Sequence, residues 1–311
     1  MNSPARISRY SFMTVIALLF VVACSPRKDA AVSAKPDDAH SRLFPFDHAA
    51  PVNVSTDSTW TINGIVVCNA RFASCAPRHG QVAFTLLRPA GSGPFAGVMF
   101  FHWLGEPNGD REEFLDEALQ LAREGVISLL IQGYFPWHEP PVSGTADRQQ
   151  VIDQTTDART ALEILFREPD IDPQRVAYVG HDYGAMYGAI IAGLETRVKA
   201  FVLLTGMGNF SDWSLKYWPA TARGGEAAYR EALAPVDPVH FIFRIPPAAL
   251  LMQFSNTDIY ITRETAAAFI AAAPEPKSVR WYDAAHDLNI PEARTDRHAW
   301  LVQQLGLSVS H

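Results

Sequence analysis

What this sequence lacks excludes several function classes. It has no excess of basic charge: 26 Lys and Arg stand against 33 Asp and Glu, and the formal net charge of −7 leaves no electrostatic footprint for nucleic acid. It has no Gly-rich loop of the kind that cradles phosphate, no Cys/His cluster at metal-ligand spacing and no internal repeat, so neither a metal nor an organic cofactor is expected. Cysteine is scarce, at three residues. The apolar run near the N-terminus, Val15 to Ala23, is too short to cross a bilayer comfortably. What is present is a globular composition. With 48% hydrophobic and 19% charged residues over 311 positions, the chain can build a sizeable core in one large α/β domain or two small ones.

The first residues read as a targeting segment. Arg6 and Arg9 give a positive start, the apolar run follows, and it ends in "VVAC" at Cys24, with Ser25 next. This resembles the lipobox of bacterial lipoproteins. The resemblance implies cleavage before Cys24, lipid on that cysteine, and a protein exported and anchored to a bacterial membrane, on the periplasmic side of the outer membrane. An ordinary secretory signal and an uncleaved N-terminal anchor are the alternatives. Acyl chains contribute about 0.8 kcal/mol per buried methylene, so several would hold the protein firmly. Removing residues 1–23 takes away two arginines and no acid, moving the net charge from −7 to −9. Residues 24–55, rich in Pro, Ala, Ser and charge without periodicity, read as a flexible tether, leaving 56–311 as the folded domain. Export places Cys68 and Cys75 of "CNARFASC" in an oxidising compartment, where their closeness predicts a short disulfide loop contributing about 2–3 kcal/mol. Two free thiols in a hairpin are the alternative.

From Thr59 the pattern is β: "TWTINGIVVC", "QVAFTLLRPA" and the almost wholly apolar "AGVMFFHW" of a buried strand. Alternation with helices then begins. A helix over 110–125 has Phe114, Leu115, Ala118, Leu119 and Leu121 on one face, acids in its first turn and Gly125 at its end. Strand "VISLLIQGY", a helix running to about Pro169, strand "RVAYVG", helix "YGAMYGAIIAGL" and strand 198–206 follow. A polar and aromatic insert then precedes strand 248–258, helix "TRETAAAFIAAA", strand "SVRWYDA" and a last helix. Strands and helices at this spacing predict an α/β fold, one domain with a mostly parallel sheet and helices on both faces, its helix-free early strands forming an antiparallel edge.

The stretch that carries chemistry is "VAYVGHDYGAMYG" (176–188). A β-rich run stops at Gly180, and Gly180-x-Asp182-x-Gly184 opens a helix; this is the nucleophile-elbow frame G-x-S-x-G with aspartate in place of serine. Downstream, "SNTD" ends an apolar strand at Asp258 and "YDAAHDLN" places His286 just after the last strand. Nucleophile, acid and histidine in this order resemble the α/β-hydrolase superfamily over about residues 60–307. "FFHWLGEPNGDREEFLDEALQLAREGV" and the short element spacing look most like the dienelactone hydrolase group, which is small and essentially uncapped. The elbow "GHDYG" is instead similar to haloalkane dehalogenases and epoxide hydrolases, whose nucleophile is aspartate. The resemblance implies a catalytic set of Asp182, Asp258 and His286. Asp283 and Asp287 flank the histidine but end no strand. Backbone N–H groups of Tyr183 and of Leu104 or Trp103 are implied as the oxyanion hole.

Three readings stay open. An aspartate side chain ordinarily titrates near pH ~3.9, so it is ionised at neutral pH and needs no base to attack. Attack on an sp³ carbon gives an ordinary ester that His286-activated water can break, which favours epoxides or halides. Alternatively Asp182 acts as a base on water for esters or lactones. In the third reading the chain is a binding lipoprotein that has lost the serine. The partner is a small molecule in the two catalytic readings, with Trp103, Trp137, His138 and Tyr217 as candidate pocket residues at the strand ends. Tyr217 is also a candidate proton donor to an epoxide oxygen. The insert, "MGNFSDWSLKYWPATARGG" beyond its connecting helix, leaves room only for a small lid.

Overall fold

The computed structural model describes residues 39–105, 109–245 and 247–307; the signal segment, Cys24 and the first part of the tether lie outside them. Strands β1 (Val54–Ile62), β2 (Ile65–Ala73) and β3 (Gln81–Arg88) pair antiparallel in series. Asn63 and Gly64, both at positive φ, make the tight turn joining the first two. Apolar β4 (Phe95–Phe101) is followed by α1 (Leu115–Arg123), β5 (Val126–Ile131), α2 (Gly144–Phe166), β6 (Ile171–His181), α3 (Tyr183–Leu194) and β7 (Ala200–Leu204). The insert holds α4 (Ser211–Tyr217), a 3-10 turn (Pro219–Gly224), α5 (Glu226–Leu233) and the short α6 (Val239–Ile242). Strand β8 (Ala249–Ser255), α7 (Arg263–Ala272), β9 (Ser278–Tyr282) and α8 (Pro291–Leu305) complete the chain.

The nine strands form one sheet in the order β1-β2-β3-β5-β4-β6-β7-β8-β9. Pairing is antiparallel as far as β3–β5 and parallel from there to β9. The centre of the sheet is buried on both faces, which is why β4, β5, β6 and β7 need near-continuous apolar runs instead of alternation. One face packs on α2, α3, α6 and α7, the other on α1 and α8. Helix starts and parallel-strand ends therefore converge on one edge, where β6 hands over to α3.

Three expectations are corrected. The helix expected from residue 110 begins at Leu115, because residues 110–114 are drawn to the sheet end: Arg111 N–H reaches Gln132 Oε1 (3.3 Å) and the Glu113 carboxylate accepts from Trp103 N–H (2.7 Å). Residues 39–53, tether by composition, pack on the domain. Phe44 is buried, its ring 5.4 Å from Phe241 and its carbonyl accepting from Arg159 (2.9 Å). The Cys68–Cys75 disulfide is absent, and both cysteines are free. Cys68 sits mid-strand, paired with Thr59 and Leu86, whereas Cys75 lies past the end of β2 with Sγ 3.5 Å from Asp153 O on α2. Strand rises about 3.4 Å per residue, so the stretch from Cys68 to the end of β2 already exceeds the roughly 7 Å that a disulfide can bridge.

Candidate active site

Asp182 occupies the turn between β6 and α3 at φ 56° and ψ −114°, a conformation that non-glycine residues adopt only where the surroundings hold them. The two flanking glycines are steric necessities. A Cβ on Gly180 would lie 2.2 Å from the Gly184 carbonyl, and one on Gly184 would lie 2.1 Å from the Phe101 carbonyl of β4. The frame in the sequence thus records how closely helix, turn and neighbouring strand cross.

His286 follows β9 and faces Asp182. Its Nδ1 donates to Asp258 Oδ2 (2.7 Å), which leaves Nε2 as the basic nitrogen, 3.9 Å from Asp182 Oδ1. Asp258 Oδ1 is held by the N–H groups of Tyr260 (2.8 Å) and Ile261 (2.9 Å). Asp283 is engaged by Asn256 and Asp287 caps Asn289 N–H, so neither flanking acid takes the place of Asp258. Burial works to raise the Asp258 carboxyl, but the hydrogen bond and charge of His286, with the two N–H donors, hold it below the ordinary carboxylate range.

Asp182 behaves differently from a free aspartate. Burial pushes its pKa up, and the opposing pull of His286, of His181 and of the Leu104 and Tyr183 N–H groups does not bring it back. Its two oxygens have distinct surroundings. Oδ2 accepts from Leu104 N–H (3.0 Å), and the adjacent Tyr183 N–H also favours the charged carboxylate. Among the described residues, buried Oδ1 has no hydrogen-bond partner, and the same is true of His286 Nε2. Trp103 N–H is engaged by Glu113, which leaves Leu104 as the donor from that loop.

The cavity in front of these atoms measures about 490 Å³ and is lined by Trp103, Leu104, Trp213, Tyr217, Trp218 and Tyr260 with Asp182, Asp287 and His286. No Lys or Arg is among its described lining residues. Trp103 and Tyr217 lie where the sequence places them, but Trp137 and His138 do not. Trp137 packs against Phe101 and Tyr187, its Nε1–H held by Trp103 O (2.7 Å), and His138 is solvent-exposed. Trp213, Tyr217 and Trp218 bring the insert into the cavity wall. Tyr260 is a lining residue that sequence reasoning missed. Its only signal is position, two residues after Asp258, where the loop that orients the acid must also turn over the pocket.

No protein-family model matches the sequence. A curated relative, the polyketide transferase ATR5 of Stachybotrys chlorohalonatus, is 29% identical over 101 residues, 30% of this chain; the chain spans about a third of that protein's length, 32%. Solved structures match far more of the chain. An acetyl xylan esterase from Paenibacillus sp. R4 is 17% identical, covering 86% of this chain and 91% of its own, with a TM-score of 0.66. Acetyl xylan esterase 1 from Thermoanaerobacterium sp. JW/SL YS485 is 14% identical over 85% and 92%, also with a TM-score of 0.66. A candidate dienelactone hydrolase from Klebsiella pneumoniae is 17% identical over 78% and 99%, with a TM-score of 0.55. At these identities the likeness establishes the architecture: the chain has the α/β-hydrolase fold, with an aspartate where the elbow motif carries serine.

Proposed function

We propose that the protein is a hydrolase in which Asp182 attacks an sp³ carbon, of an epoxide or an alkyl halide, and His286 then directs water onto the resulting ester. One observation carries this reading: Asp182 Oδ2 already accepts from Leu104 N–H, a donor expected for an oxyanion, while the buried Oδ1 of this cavity-lining residue has no partner among the described residues. An acyl ester would need that N–H donor for its own carbonyl oxygen and would find it taken. An alkyl–enzyme ester finds its carbonyl, C=Oδ2, seated there in advance.

The steps balance. Oδ1 forms a bond to carbon as the C–O bond of the epoxide or the C–halogen bond breaks. Halide departs as such, and an epoxide alkoxide takes a proton. Tyr217 lines the cavity and is the candidate donor. His286 Nε2 then takes a proton from water, with Asp258 stabilising the imidazolium, and the hydroxide adds to the Asp182 carboxyl carbon. The charge develops on Oδ2 against the Leu104 and Tyr183 N–H groups; on collapse the His286 imidazolium protonates the departing alkoxide, and the carboxyl proton passes to the Tyr217 phenolate in the epoxide case or to solvent in the halide case, which regenerates the carboxylate. The 3.9 Å between His286 Nε2 and Oδ1 is too long for a direct hydrogen bond and suits two groups that act in successive steps. An aromatic cavity whose charged lining groups, the histidine aside, are carboxylates suits uncharged organic substrates.

A second reading, water activated by Asp182 for ester or lactone hydrolysis, draws on the upward shift of the Asp182 carboxyl and on the esterases among the structural neighbours. Trapping decides between them: a His286→Gln variant accumulates a covalent adduct on Asp182 only in the first reading. We further propose that lipid on Cys24 holds the domain at a bacterial membrane, the support being the "VVAC" sequence after its apolar run.

A further inference from the structure

We propose that His181 and Glu113 form a buried imidazolium–carboxylate pair that positions the candidate active site, tying the oxyanion loop, the nucleophile elbow and the His286 loop to one another. The inference deepens the reading of Asp182 as an ionised nucleophile and rests on it for its catalytic consequence.

The geometry suits a charge on His181 opposite an ionised Glu113. Its Nδ1 faces Glu113 Oε1 at 2.6 Å, and its Nε2 faces the His286 backbone carbonyl at 3.0 Å. A carbonyl oxygen only accepts, and a carboxylate in its ionised form only accepts, so opposite an ionised Glu113 both ring nitrogens carry protons. The ring is fully buried and lies parallel to Trp103, 5.3 Å between centroids and 1° between planes. Glu113 divides its two oxygens between two partners: Oε1 takes His181, and Oε2 takes the N–H of Trp103, the residue before the Leu104 donor. One carboxylate therefore fixes the loop that supplies the oxyanion donor and the ring that supports the His286 backbone.

Titratable groups reach His181 from each element packed around it. The turn before α1 brings Glu113, the elbow brings Asp182, the loop after β9 brings His286, and the strand end of β4 brings His102. His102 is kept neutral by burial, its pKa pushed down to about 3, and Glu113 also faces the guanidinium of Arg297 on α8. Burial opposes a charge on His181, but Glu113, by charge and hydrogen bond, outweighs it, with Asp182 and the His286 carbonyl adding to the upward shift. The consequence falls on Asp182. A buried carboxylate with one unpartnered oxygen needs a neighbouring cation to stay ionised, and His181 supplies one that plays no part in proton transfer. His181 and Glu113 are thus positioning residues.

The test uses the intact folded protein and no substrate. In protein labelled with ¹⁵N-histidine, both ring nitrogens of His181 are expected to be protonated at about pH 7 to 8, where an ordinary histidine is neutral. In Glu113→Gln, which keeps the size and loses the charge, that signature is expected to move to lower pH. In His181→Gln, which keeps a donor for the His286 carbonyl, the ¹³C-carboxyl titration of Asp182, assigned by its loss in Asp182→Asn, is expected to rise by about one pH unit or more. A neutral His181 ring at about pH 7 in the native protein overturns the proposal. An Asp182 midpoint unmoved in folded His181→Gln overturns it equally. Should that variant fail to fold, the Glu113→Gln signature still decides. Because these readouts need no turnover, they separate a wrong pair from a wrong reaction: if the pair is real and the chemistry misassigned, the histidine signature persists while adduct trapping fails.

Discussion

Replacing His286 with glutamine separates the two chemical steps that the Asp182 geometry allows. The first uses only Oδ1, which has no hydrogen-bond partner among the described residues and lies 3.9 Å from His286 Nε2, too far to depend on it for activation. The second needs a base at Nε2. Glutamine keeps a donor for Asp258 but cannot accept a proton from water. Loss of a positioned general base typically slows its step roughly 10²- to 10⁴-fold, or about 3–5 kcal/mol in the barrier. Alkylation retains the same carboxylate against the same N–H donors, so the variant is expected to stop after one turnover with most of its active sites alkylated. Mass spectrometry of the peptide containing Asp182 reads the result and the substrate class together. An epoxide adds its full mass, and an alkyl halide adds its mass less hydrogen halide. In the native enzyme, one turnover in ¹⁸O-water is expected to place label in the Asp182 carboxyl, because water attacks the enzyme's own carbonyl carbon. A His286→Gln variant that is folded and inactive but carries no adduct, with ¹⁸O appearing only in product, would refute nucleophilic attack and leave Asp182 as a base. A screen of epoxides, haloalkanes, esters and lactones supplies the substrate.

Asp182→Ser should free the Leu104 and Tyr183 N–H donors while leaving the Asp258–His286 pair in place, so hydrolysis of p-nitrophenyl acetate should rise above that of the native protein; each regained donor is worth roughly 10²- to 10³-fold, and no gain in a folded variant would count against the occupied hole. Asp182→Asn should stabilise the protein by about 1–2 kcal/mol at neutral pH, since a buried carboxylate with an unpartnered oxygen becomes an uncharged amide. The sign is testable by urea unfolding across pH: the folded pKa lies above the unfolded value of 3.8, so the advantage should vanish below that value, grow as pH rises through the folded pKa and be full above it. An advantage that grew towards acid would contradict the shift. Cys24→Ser should move the protein from the membrane fraction to the soluble one; a variant that stays membrane-bound with unchanged mass would remove the lipid anchor.

Several features were legible in the chain because they are local. Wholly apolar strand runs, the glycine frame around Asp182 and the order Asp182, Asp258, His286 depend on backbone crowding and on strand ends, which spacing records directly. The same local reasoning misplaced Trp137 and His138. Their loop does reach the sheet end, but which side of a loop faces the cavity is set by packing, and Trp137 packs against Phe101 and Tyr187. It also paired Cys68 with Cys75, where nearness in sequence is turned into distance by an extended strand.

The sequence by itself determined that a carboxylate stands at the elbow, because that is a matter of residue identity in a sterically required frame. Only the tertiary structure decided what surrounds each oxygen: Oδ2 against the Leu104 N–H contributed by a loop 78 residues earlier, Oδ1 buried without a partner among the described residues, and His181 set 2.6 Å from Glu113, 68 residues away in sequence. Protonation and reactivity of a buried group follow from burial and from the partners brought to it, and those partners come from loops whose meeting no local pattern encodes.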